Sequence, residues 1–122
     1  MYNFNPLLES FHYQEVNLKH KFGNRMIKYT VYKNEMNHPL IRKVLSVDLF
    51  PILSRVIIKY FRSMTSEGWD IPDNQTILNS ISCLEFSLKD NNVNIEVIQN
   101  MADCDVCPTF TLDSNMRIIA IS

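Results

Sequence analysis

The sequence predicts an α+β fold: a single mostly antiparallel β-sheet in ββ-α-(α)-ββββ order, with one long helix and a short helix packed on one face. Three observations predict it. A glycine-led turn splits two alternating segments within residues 16–33. Apolar side chains then repeat at helical spacing from Leu49 to Met64, and strand-like alternation returns from Leu84 onward. The 122 residues are read as one domain, 1–122, because a chain of that length buries roughly two-thirds of its unfolded surface in one core.

The first hairpin follows from Gly23-Asn24, since glycine accepts the positive φ required at the first central position of a two-residue turn. Pairing Phe22 with Arg25 sets His20 opposite Ile27, Leu18 opposite Tyr29 and Val16 opposite Val31 on an apolar face. Glu15 opposite Tyr32, Asn17 opposite Thr30 and Lys19 opposite Lys28 then form a wet one. Asn37-His38-Pro39 breaks the strand and starts a short helix through Ser46, with proline in its first turn.

Asp48 is expected to cap the long helix, with Pro51 in the first turn and Gly68 at its end. Leu49, Ile52, Leu53, Val56, Ile57, Tyr60, Phe61 and Met64 form the buried stripe, and Arg55, Lys59 and Arg62 the opposite side. Residues 70–82 fit a second short helix capped by Asp73 or Asn74. From Cys83 a helical and a strand reading compete, and the strand is favoured. Leu84, Phe86 and Leu88 alternate with polar residues, as do Val93, Ile95 and Val97 after the turn formers Asp90-Asn91-Asn92. A last three-residue loop, Asp113-Ser114-Asn115 with Asn115 left-handed, closes the final hairpin. That register places Phe110, Leu112, Met116, Ile118 and Ala120 on one face. Ile119 and Ile121 take the other, so the last strand reads as buried on both sides.

Composition excludes several classes. Two glycines, Gly23 and Gly68, cannot build the glycine-rich loops that cradle phosphates. Three cysteines are not a disulfide framework, so a reducing, cytoplasmic setting is the simpler expectation. The start MYNFNPLLES shows no secretory pattern, and residues 49–61 are too interrupted by Pro51, Arg55 and Lys59 to span a membrane.

Charge is unevenly divided. Residues 1–65 hold ten Lys/Arg against four acids, net +6, whereas residues 66–107 hold eight acids against Lys89, net −7. Such a layout can steer a charged partner, or let two halves of one domain attract each other.

Each candidate site has an ordinary reading beside it. Cys104-Asp105-Val106-Cys107 has the spacing of a redox or zinc half-site, but neighbouring acids disfavour a thiolate. Cys83 with His12, His20 or His38 would have to complete a tetrahedral site. Two reduced thiols are the simpler account, and neither a metal nor a cofactor is expected. His20 reads as a packed residue and not a catalyst, and no catalytic group is nominated. The Arg55, Lys59, Arg62 face could meet phosphates, yet the chain is slightly acidic overall, net −1, and carries no nucleic-acid motif.

Glu67, Trp69, Asp70 and Asp73, with Asp103 and Asp105, form an acidic surface with an aromatic anchor of the kind that binds a basic protein. In size and character the chain is similar to small intracellular inhibitors such as bacterial immunity proteins and phage-encoded inhibitors. The resemblance implies a non-enzymatic, antitoxin-like domain that occludes a protein partner through its acidic surface. The alternatives are a metal or redox protein built on Cys104 and Cys107, and a nucleic-acid binder using the basic helix. No membrane partner is expected, and an unpaired edge strand leaves homodimerisation open.

Overall fold

Residues 14–64, 72–100 and 107–122 are described by a computed structural model. Gly23 sets the first turn, with φ +67°, while Asn24 stays in the ordinary region, the pattern of a type II′ hairpin turn. Strands β1 (Glu15–Phe22) and β2 (Arg25–Tyr32) pair in the expected register, from Phe22 with Arg25 to Glu15 with Tyr32. A 3-10 turn at Lys33–Glu35 follows, then helix α1 (Pro39–Leu45), whose first turn is capped by His38 accepting from the Leu40 N–H.

Helix α2 (Phe50–Met64) begins after Leu49, whose carbonyl accepts from Leu53. Asp48, expected as the cap itself, lies one residue earlier. Its Oδ1 takes the N–H of Phe50 at 3.0 Å and that of Gly23 at 3.3 Å, so one carboxylate fastens the hairpin turn to the helix start. Helix α3 (Asn74–Asn79) is capped by Asp73 through the Thr76 N–H. Gly68 lies outside the described residues.

Strands β3 (Ile81–Lys89), β4 (Asn92–Gln99), β5 (Thr109–Leu112) and β6 (Ile118–Ile121) complete a six-stranded sheet in the order β1-β2-β3-β4-β5-β6. Every neighbouring pair is antiparallel except β2 with β3. The exception has a topological cause. The connection through the helices is long enough for the chain to return to the end of the sheet from which β2 started, as parallel pairing requires. Asp90 and Asn91, at φ 52° and 64°, make the tight turn from β3 to β4.

The last hairpin departs from expectation. The left-handed residue is Met116 (φ 64°), not Asn115, and a bulge shifts the register between Thr111 and Leu112. Asp113 holds this loop by accepting from the N–H groups of Asn115 and Arg117. The slip turns Ala120 towards the side of Thr111 and brings Ile121 beside Phe110. Strand β6 is therefore an edge, not a doubly buried strand. Ile119 and Ile121 are 54% and 47% exposed.

One buried cluster joins Tyr29 and Val31 of β2, Leu84 and Phe86 of β3, Ile95 and Val97 of β4, and Phe110 of β5 to Ile41, Val44, Leu49, Leu53, Ile57 and Ile77. Tyr29 is its largest member, and burial, then the nearby Asp48 carboxylate, pushes its hydroxyl pKa well upward.

Candidate functional site

Alternation along the strands sends every second side chain away from that cluster, onto a largely polar face that also carries Met26 and Ile98. Register places these side chains in rows. Asn17, Thr30, Glu85, Glu96 and Thr109 form one row across five strands. Lys19, Lys28, Cys83 and Ile98 form the next row towards the first turn, and Lys21 sits opposite Met26 beyond it.

The face is acidic on one side and basic on the other. Glu85 and Glu96 are direct cross-strand partners, and with Glu15, Thr30, Tyr32 and Asn94 they line an open hollow of about 250 Å³. Like charges placed opposite one another repel. The Glu85 carboxyl is accordingly held above the usual range, first by partial burial, then by Glu96 and Glu15, with Lys28 opposing. At the turn end Lys19, Lys21 and Lys28 are exposed beside Met26, which is 62% exposed.

Short polar side chains of the face bond to one another beside these charges. The Thr30 hydroxyl donates to Asn17 Oδ1 at 2.9 Å and lies 3.4 Å from the buried Cys83 sulfur. The Thr111 hydroxyl donates to Asn94 Oδ1 at 2.6 Å.

Of the acids predicted from sequence as the binding surface, Asp73 is exposed, and its carboxylate caps α3. Hydrogen bonds from Thr76, assisted by Arg62, hold its pKa below the usual range. Glu67, Trp69, Asp70, Asp103 and Asp105 lie outside the described residues. Sequence reasoning placed Glu15 on the wet side of the hairpin but did not group it with Glu85 and Glu96. The polar members of the alternating strands were visible. What was missing was the parallel pairing of β2 with β3, which brings the first hairpin alongside the second.

The remaining candidates have local roles or lie elsewhere. His20 stacks on Tyr29 at 4.7 Å between ring centroids, with Nδ1 2.9 Å from the Lys21 carbonyl, and His38 caps α1. Cys83 is buried and Cys107 half-buried, while Cys104 and His12 fall outside the described residues. Arg55 and Lys59 are exposed, whereas Arg62 donates from Nε and Nη2 to Asn74 Oδ1. Among the described residues no group of three or more His, Cys, Asp or Glu is arranged to hold a metal ion, and no helix is long and apolar enough to cross a membrane.

Comparison with family models, with curated proteins and with solved structures finds no match.

Proposed function

We propose that this protein is a small non-enzymatic binding domain that inhibits or regulates a protein partner, in the manner of an immunity protein or antitoxin, through an acidic surface. The observation that carries the reading is the hollow lined by Glu15, Glu85 and Glu96 on the open side of the sheet. Their mutual repulsion is relieved when a lysine or arginine of a basic partner enters. In this reading the long helix and its shorter neighbours pack on one face of the sheet and leave the other to the partner. The mechanism is steric occlusion, with charge steering the approach. The acids expected from sequence, Glu67, Asp70, Asp73, Asp103 and Asp105 with Trp69 as anchor, are a second candidate contact, tested separately.

Capture from native lysate at low and at high salt, with three baits, tests the proposal. A protein with a basic surface is expected on the unaltered chain at low salt and lost at high salt. The expected loss on the E85K/E96K bait assigns the contact to the sheet face, and loss on a W69A/D70K/D73K bait assigns it to the second acidic group. Retention of the same proteins by all three baits at both salt concentrations contradicts the proposal.

A further inference from the structure

The open face carries both signs of charge, and apart from Lys28, which acts on Glu85 within one copy, they are displaced from each other. Glu85 and Glu96 lie on β3 and β4, and Glu15 at the far end of β1, whereas Lys19, Lys21 and Lys28 lie on β1 and β2 near the first turn. A partner of single sign matches half of this face and meets like charge on the other half. A second copy, turned end for end, matches both halves.

We infer that the open sheet face is a self-association surface, on which a second copy of this chain sets its Lys19, Lys21 and Lys28 over Glu85 and Glu96 of the first. A two-fold axis in the plane of the interface, crossing the line from lysines to glutamates, exchanges the two ends and makes both contacts equivalent. The middle of the face allows close approach. Beside Glu85, Thr30 and Asn17 are bonded to each other and Cys83 is buried, so the side chains next to the charged groups on β2 and β3 stand low. Met26, one of three strongly exposed large apolar residues among the described ones, is covered in the same contact.

Size sets the strength. Six strands about 4.8 Å apart give a face about 24 Å wide. With strands of at most nine residues and a rise of about 3.4 Å each, the flat area is at most about 700 Å², below the roughly 800 Å² per partner of a standard interface. The association is therefore weak, held by charge, and reversed by salt. It rests on the charge layout alone and does not require the proposed partner, although a basic partner seated on the glutamates displaces the second copy.

Sedimentation velocity of the full chain over a concentration series, at low and at high salt, tests this. The unaltered chain is expected to dimerise at low salt, with at least tenfold weaker association at 1 M salt. The K19E/K28E variant and the E85K/E96K variant are each expected to sediment as monomers, and an equimolar mixture of the two to form a heterodimer. That rescue shows that both variants are folded, and circular dichroism checks each alone. I121K, on the apolar edge of β6, is expected to leave the dimer unchanged. A monomer at all concentrations, a dimer that survives both reversals, a folded pair that fails to associate on mixing, or a dimer abolished by I121K overturns the inference.

Discussion

On β4, Val93, Ile95 and Val97 are fully buried, while Asn94 and Glu96 between them line the open hollow. The same contrast runs along β2, where Tyr29 and Val31 enter the cluster and Lys28 stays in water. Neighbouring residues on one strand thus answer to different physics. The inner set is selected by close packing, where a lost methylene leaves a void, and the outer set by charge and hydrogen bonding in high dielectric. The outer face is consequently free to carry pairs that lower stability, such as Glu85 opposite Glu96 and Lys19 opposite Lys28. Like charges facing each other on an exposed sheet have no stabilising purpose within a single copy.

The largest effect that sharpens this comparison is Ile95→Ala, expected to cost about 2–5 kcal/mol through cavity formation. Asn94→Ala, one residue away, is expected to cost only the hydrogen bond it accepts from Thr111, about 0.5–1.5 kcal/mol. Urea denaturation of the two variants measures the difference, and equal costs would break the contrast between faces.

Next in size is Gly23→Ala. The φ of +67° opposes any Cβ, and a Cβ built there lies 2.9 Å from Phe50 Cδ2. The left-handed backbone alone costs about 1–2 kcal/mol, and displacement of the Phe50 ring adds to it. Thermal unfolding is expected to show a lowered midpoint, with the fold retained.

The smallest effect has the opposite sign. Glu85→Gln removes one of two facing like charges and is expected to stabilise the chain by about 0.2–1 kcal/mol at neutral pH and low salt. Because the Glu85 carboxyl is raised in the folded protein, the native state holds its proton more tightly than the unfolded chain does. Stability from the protonated form is complete below the unfolded glutamate range and is lost as pH rises through the folded midpoint. The advantage of the glutamine variant should therefore shrink to nothing on acidification, and salt should reduce it at neutral pH.

Much of the fold was legible because its signals are local. Gly23-Asn24 fixed eight cross-strand pairs at once, and the period of two in Leu84–Leu88 and Val93–Val97 outlined β3 and β4. The failures were of two kinds. At the last hairpin, moving the left-handed residue from Asn115 to Met116, together with a bulge, reversed the side taken by Ala120 and Ile121. A shift of one position flips every side chain in a strand. The candidate site was lost for a different reason. Glu15 and Glu85 are 70 residues apart, and only the crossover that pairs β2 with β3 unites them. No local pattern encodes that neighbourhood.

The account depends on burial and the repulsion among Glu85, Glu96 and Glu15 outweighing the compensation from Lys28. NMR titration of the Glu85 side-chain carboxyl, at a concentration where one copy sediments alone, tests this directly. A midpoint above the ordinary glutamate range is the predicted result; a midpoint at or below that range would mean the charge is already neutralised within the protomer.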